Sequence, residues 1–238
     1  MAAASLLARL TERPRETGIL LDVDGTLAPI VSRPEDARVP EVTRIELRRL
    51  ASLYGLVACL SGRAGAAAER VVGVEGIRYV GEHGLELEPD AKVWADRLAA
   101  FAAGSDWPAE PGKRLTLSFH YRTERDSEAA RSALEQVAER ARRAGLRPRF
   151  GRMVLEVRPP LDADKGTAVR RLLGEAGLLR ALYAGDDSTD LDAFGGLDGL
   201  DVAVRVAVAS AEGPPELEAA ADIVVRDPAA LLDLLREL

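Results

Sequence analysis

"GILLDVDGTLAPI", residues 18–30, is the stretch on which the reading of this chain turns. An apolar run ends in two aspartates, Asp22 and Asp24, followed by Gly25 and Thr26. A short run that is apolar at every position has the look of a parallel strand covered on both faces. Side chains alternate along a strand, so Asp22 and Asp24 project the same way while Val23 turns toward the core. Neighbouring carboxylates beside a hydrophobic core repel one another strongly unless positive charge stands between them.

Two further apolar runs end in the same manner. "GLVACLSGR" (55–63) closes on Ser61 and Arg63, and "ALYAGDDSTD" (181–190) closes on Asp186, Asp187 and Asp190. Between them lie stretches of helical spacing. "EVTRIELRRLASL" (41–53) offers Val42, Ile45, Leu50 and Leu53; "KGTAVRRLLGEAG" (165–177) offers Val169, Leu172 and Leu173 before a glycine stop. "DVAVRVAV" (201–208) and "ADIVVRD" (221–227) read as strands, and "DPAALLDLLREL" (227–238) as a closing helix with Pro228 in its first turn. Alternating strands and helices predict an α/β fold around a mostly parallel sheet.

The middle of the chain has a different rhythm. "RLTLSFHYR" (114–122) sets Leu115, Leu117, Phe119 and Tyr121 against Arg114, Thr116, Ser118, His120 and Arg122. "RMVLEVRP" (152–159) sets Met153, Leu155 and Val157 against Arg152, Glu156 and Arg158. Strict alternation predicts a half-exposed sheet, its apolar side covered by helices such as "DSEAARSALEQVAERARRAG" (126–145). Residues 85–161 therefore read as a smaller α/β unit inserted into a discontinuous domain, 1–84 with 162–238.

Composition narrows the function. A net charge of −7 with scattered arginines argues against nucleic acid and against an acidic membrane surface as partners. No apolar run approaches the ~20 residues that cross a bilayer, and the opening "MAAASLLARL" is too short for a secretory signal, so the cytoplasm is the expected location. Cys59, the single cysteine, sits in an apolar run and is expected only to pack. Lys92, Lys113 and Lys165 are the only lysines in an arginine-rich chain, which draws attention to Lys165 at the head of "DKGTAV".

Open α/β sheets bind ligands at the carboxyl edges of their strands. Three strand ends stacked in one sheet would bring Asp22, Asp24 and Asp186 together, and a hard divalent cation, Mg²⁺, resolves their repulsion while leaving a position for a phosphate oxygen. The remaining groups suit phosphoryl transfer. An aspartate can attack phosphorus to form an aspartyl-phosphate. Lys165 would supply positive charge, and Ser61, Thr26 and backbone N–H groups around Gly25 would supply hydrogen bonds. Arg63 either neutralises phosphate or pairs with a nearby acid. Asp190, one helical turn after Asp186, is either a ligand or a cap.

The order D-x-D-G-T, strand-ending serine, helix-opening lysine and G-D-D-x-x-D is similar to that of the haloacid dehalogenase (HAD) superfamily of phosphatases. More narrowly, "LDVDGTLAPI", "LSGR", "GEHGLE", "FHYR", "LEVRPP", "DKGTAV" and "GDDSTDLDAF" resemble the trehalose-6-phosphate phosphatase family, over residues 18–195. The resemblance implies a HAD-like doubly wound core with an inserted α/β cap whose open sheet face roofs the site. It implies that Asp22 is nucleophile and metal ligand. Asp24 becomes the general acid/base, with its backbone carbonyl on Mg²⁺. Asp186 becomes a third ligand supported by Asp187 or Asp190, and Ser61 with Lys165 the phosphate-binding pair. Arg63, together with His83 and Gly84 at the domain junction, is expected near the substrate, and His120, Arg122, Glu156 and Arg158 on the cap are expected to meet a sugar. Lys113 matches a cap lysine of the family but lies off the polar face by parity. The family often has a bulkier residue where this chain has Val23.

The expected activity is Mg²⁺-dependent hydrolysis of trehalose 6-phosphate by a monomer acting on a small sugar phosphate. The alternatives are sucrose-, glucosylglycerate- or mannosylglycerate-phosphate phosphatases, hexose-phosphate mutases, and a sugar-phosphate sensor without catalysis. A phospho-acceptor receiver domain would share the aspartates and lysine, but it would be about half as long and carry its acceptor on a later strand.

Overall fold

The computed structural model describes residues 3–31, 33–151, 153–210 and 213–238; Arg152 of the alternating stretch lies outside the described residues. In chain order the elements are α1 (Ala3–Thr11), β1 (Thr17–Asp22), α2 (Glu41–Leu53), β2 (Leu56–Leu60), α3 (Gly65–Val72), β3 (Arg78–Val80), α4 (Ala91–Ala103) and β4 (Leu117–His120). They continue with α5 (Ser127–Arg143), β5 (Arg147–Gly151), β6 (Val154–Arg158), α6 (Lys165–Ala176), β7 (Arg180–Gly185), α7 (Asp190–Gly195), β8 (Val202–Val208), α8 (Pro215–Ala220), β9 (Ile223–Val225) and α9 (Pro228–Arg236). Contacts divide the chain into two compact units, Met1–Gly84 with Ala163–Leu238, and Leu85–Asp162. No helix among the described residues is long and apolar enough to cross a membrane.

The first unit holds a six-stranded sheet in the order β3-β2-β1-β7-β8-β9, parallel throughout. β1 is buried at every position because helices cover both faces. Ile19, Leu21, Cys59 and Val204 pack with Leu10 of α1, Leu50 of α2 and Leu234 of α9 on one side. On the other side Leu173 of α6 presses on Gly18, where an added Cβ would come within 2.8 Å of its Cδ2. Phe194 of α7 meets Tyr183 edge-on, ring centroids 6.2 Å apart. Each such large apolar side chain contributes about 1.5–3 kcal/mol by leaving water. α6 begins with a capping box between Asp164 and Thr167 and stops at Gly177, whose φ of 65° suits glycine.

Helix α2 corrects the spacing argument. Thr43, Glu46, Leu47 and Leu50 are its buried side, whereas Val42 (53%), Ile45 (57%) and Leu53 (39%) face solvent. Two stripes of this helix satisfy the same 3.6-residue period. The one with Leu47 and Leu50 goes inward against the core, and Arg49 Nε, donating to Glu46 Oε1 at 2.8 Å, compensates the charge buried with it.

The second unit is a three-stranded antiparallel sheet, order β4-β6-β5, backed by α5. Leu117, Phe119, Tyr121, Leu155 and Val157 form its core with Leu134 and Val137 of α5, as the alternation predicts. Ser118 stands opposite Glu156, and Glu156 opposite Arg149, so these three polar residues share one row on the other face. Thr116 and Ser118, expected at the open face, are buried instead. The segment before β4 folds back over Ser118, with Glu110 N donating to Ser118 O at 2.8 Å and Lys113 Nζ to Ser118 Oγ at 2.8 Å. Parity misplaces Lys113 because β4 starts only at Leu117, so strand alternation does not extend back to residue 113.

Candidate active site

The site is built where adjacent parallel strands end. Asp22 pairs in register with Leu60, and Leu21 with Ala184, so Ser61 and Asp186 each lie one step beyond the level of Asp22. After Asp22 the chain turns sharply. Gly25 has a φ of 87°, and a Cβ there would fall 2.1 Å from Asp186 Oδ2, so only glycine allows the approach. The turn sends Thr26 back over the cluster, where its Oγ1 donates to Asp186 Oδ1 at 3.1 Å. The Gly25 N–H, expected among the phosphate donors, is directed into the loop and donates to Ala28 O at 2.8 Å.

Lys165 is the hub of the cluster. Standing first in α6 and 2% exposed, it donates through Nζ to Asp22 Oδ1 at 2.6 Å and to Asp190 Oδ1 at 2.7 Å. Asp190 is fully buried and each of its oxygens accepts twice: Oδ1 from Lys165 and from the Tyr183 hydroxyl at 2.7 Å, Oδ2 from the N–H groups of Asp186 and Asp187 at 2.9 Å each. Asp190 thus ties the loop after β7 to Lys165. Tyr183 escaped the sequence reading because inside the apolar run "ALYAGDD" it looks like ordinary core; only its depth below the loop reveals the bond.

Asp24 is held separately. Arg63 Nε donates to its Oδ2 at 2.6 Å and Arg63 Nη2 to its Oδ1 at 2.7 Å, a two-pronged pair. Ser61 Oγ, buried, accepts from Arg63 N at 3.1 Å. The stretch 82–84 runs beside them with φ of 50°, 56° and 97° at Glu82, His83 and Gly84, a conformation costly for the two non-glycine residues. His83 N donates to Ser61 O at 3.0 Å, and the His83 ring lies over Gly62. Gly84 is required because a Cβ there would meet Asp164 O at 2.6 Å, against the start of α6. Its role in the structure is this close passage.

Burial and mutual repulsion set the charge state of the cluster. Burial, together with Asp190, Asp186 and Asp187, pushes the Asp22 carboxyl well up, and Lys165 offsets only part of this. Burial and the charges of Asp190 and Asp187 push Asp186 up to about 7. Burial alone would lower Lys165, but Asp190 and Asp22 reverse this and hold it charged. Asp187 at the surface is also opposed by burial; Lys165 and two hydrogen bonds from Thr189, both 2.6 Å to its Oδ1, keep it low. One oxygen from each of Asp22, Asp186 and Asp190 lies within 4.8 Å of the others, all three residues buried. With both oxygens of Asp190 already accepting, the raised carboxyls of Asp22 and Asp186 are the under-neutralised oxygen donors that fit a hard divalent cation. Neither Asp24 nor Asp187 offers its carboxylate to this group.

In the insertion, a different cluster forms. Glu110 accepts from Lys113 Nζ at 3.1 Å, and His120 Nε2 lies 3.1 Å from the same Oε2. Glu110 and Lys113 line a cleft of about 260 Å³ beside α4. Glu156 and Arg158 are half-buried on β6, and Arg122 is exposed just beyond β4. Glu110 was missed because nothing in "AEPGK" sets it apart. Burial would raise it, but the hydrogen bond from His120 and the charge of Lys113 prevail and hold it at about 2. A depressed carboxyl stabilises the fold above its ordinary value, 4.5, and that contribution is lost as pH falls toward 2. Glu110→Gln is therefore expected to cost about 1–2 kcal/mol at neutral pH after solvent screening. Urea unfolding of variant and wild type should converge as the solution is acidified.

The family model described as Trehalose-phosphatase matches residues 20–105 and 112–226. A trehalose-phosphate phosphatase of Mycolicibacterium paratuberculosis is 38% identical over 221 residues, covering 80% of this chain and 55% of that protein. The chain thus spans about half the length of the curated relatives it matches. Among solved structures, the C-terminal domain of trehalose-6-phosphate phosphatase from C. albicans superposes with a TM-score of 0.75 at 23% identity, covering 98% of this chain and 95% of that one. A haloacid dehalogenase-like hydrolase from Bacteroides thetaiotaomicron superposes with a TM-score of 0.64 at 14% identity, covering 92% and 98%, a likeness of fold.

Proposed function

We propose, because this chain belongs to the trehalose-phosphatase family, that it is a Mg²⁺-dependent phosphatase releasing phosphate from trehalose 6-phosphate. The observation that carries the reading is the buried meeting of Asp22, Lys165, Asp186 and Asp190 at the strand ends. A carboxylate oxygen of Asp22 attacks phosphorus, the bond from phosphorus to the sugar oxygen breaks, and Asp24 gives that oxygen a proton. Asp24 then takes a proton from water as the water oxygen attacks the aspartyl-phosphate, and phosphate departs with Asp22 restored. Lys165 keeps the nucleophile oriented and offsets charge on the phosphoryl oxygens, with Ser61 as a further donor. Asp22 and Asp186, with the Asp24 carbonyl, would hold the cation; when bound it offsets carboxylate charge and polarises the phosphoryl group.

In the insertion, we assign sugar hydroxyls to Lys113, His120, Arg122, Glu156 and Arg158, with Glu110 added. The proposed setting is the cytoplasm, as a monomer acting on a small molecule and not on nucleic acid.

Phosphate release should be measured across trehalose, sucrose, glucosylglycerate and mannosylglycerate phosphates. Trehalose 6-phosphate is expected to turn over fastest. A faster rate on another sugar refutes the narrow substrate, and no release from any refutes the phosphatase. Chelation with EDTA is expected to cut the rate by about 10²-fold or more, several kcal/mol of lost charge stabilisation, and added Mg²⁺ to restore it.

A further inference from the structure

We infer that Arg63 is a positioning residue that sets the orientation of Asp24, with its charge spent there and not on phosphate; this rests on the phosphatase reading above. Both prongs of the guanidinium are engaged, at 2.6 and 2.7 Å, one on each carboxylate oxygen. Such a pair fixes the plane of the carboxylate as well as its distance. Asp24 needs that help. It follows the end of β1 in a tight turn, its backbone bridges to Ala28, and its side chain is 39% exposed. Arg63 is far better anchored. Its N–H donates to Ser61 Oγ at 3.1 Å, its carbonyl accepts from Glu82 N at 2.8 Å, and a Cβ on Gly81 would fall 2.6 Å from that carbonyl.

The geometry is compatible with proton transfer. A carboxylate offers about four lone-pair directions, and the fork uses one on each oxygen, leaving one on each. In the acid form one of these carries the proton that is given to the ester oxygen, and in the ionised form it accepts from a water. The leaving sugar is an alkoxide equivalent and departs only with a proton. That proton passes from Asp24 to the ester oxygen as the bond from Asp22 to phosphorus forms and the bond to the sugar breaks. An orientation error of about an ångström in such a group costs about 10²-fold.

The test compares two leaving groups in the first turnover. Trehalose 6-phosphate needs the proton; p-nitrophenyl phosphate releases a stable phenolate without it. Rapid-quench measurements on Arg63→Met should show first-turnover release falling about 10²-fold for the sugar ester and only about threefold for the aryl ester. KM and inhibition by inorganic phosphate should stay within about twofold of wild type. Arg63→Lys should behave like Arg63→Met, since an ammonium restores charge but not the fork. Adding Arg63→Met to Asp24→Asn should cost nothing more, because both act through one group.

Equal losses on both esters, a tenfold rise in the phosphate inhibition constant, or full rescue by lysine would overturn the inference and make Arg63 a phosphate ligand. Should Arg63→Met unfold, the same comparison on Arg63→Lys, which keeps the charge and most of the length, decides: a loss confined to the sugar ester supports the inference and equal losses overturn it. Wild-type protein that turns over neither ester overturns the phosphatase reading and this inference together.

Discussion

Asp22→Asn is expected to lower kcat by at least about 10⁴-fold while the protein stays folded. The amide keeps the size of the carboxyl and can still accept from Lys165, which also retains Asp190 at 2.7 Å. Removing one negative charge from a crowded buried group does not weaken the fold; Asp22 is already pushed toward its neutral form by burial and by three other carboxylates. What disappears is the proposed nucleophile, since an amide oxygen does not form the phosphoryl ester. Two measurements check this. Thermal unfolding of the variant should match wild type, and acid-quenched wild type should carry a phosphoryl group on the peptide containing Asp22 that the variant lacks. Turnover within about tenfold of wild type would remove Asp22 from the mechanism.

Lys165→Met is expected to affect stability as well as rate. Without the ammonium, Asp22 and Asp190 remain 5% and 0% exposed with their shared cation gone. Breaking a buried pair in this way costs about 3–5 kcal/mol, and losing the positive charge proposed to act on the phosphoryl group costs about 10²–10³-fold in kcat. The two effects separate with metal. In EDTA the urea midpoint of the variant should fall sharply. Saturating Mg²⁺ should recover about 2–3 kcal/mol by binding only the folded state, without recovering the rate. Arginine should not substitute, because the 2% exposed slot holds its two oxygen partners at 2.6 and 2.7 Å and has no room for a guanidinium. A variant as stable as wild type in EDTA would show that Lys165 does not neutralise the cluster.

Much of this arrangement was legible in the residues themselves. Runs such as "ILLD" and "ALYAGDD" are apolar throughout and end in acids, and the structure makes each a central parallel strand with its acid at the carboxyl edge. The alternation of Leu117, Phe119 and Tyr121 against their neighbours marked the apolar face of β4, whereas the cover over Ser118 on its other face was not in the pattern. Glycine at position 25 was readable as part of a motif, but its necessity is visible only against Asp186, 2.1 Å from where a Cβ would stand.

Strand identity, helix identity and the order of acidic ends are local properties, set by period and composition over a few residues, and the chain determined them by itself. Partners were decided by the tertiary structure. Period alone left α2 two equivalent faces, and the surrounding core chose the one with Leu47 and Glu46. The union of Arg63 with Asp24, of Lys165 with Asp22, and of Thr26 with Asp186 depends on how separate segments come to lie against one another. A hydrogen bond acts over about 3 Å whatever the separation along the chain, so only the assembled strands could say which donor met which acid.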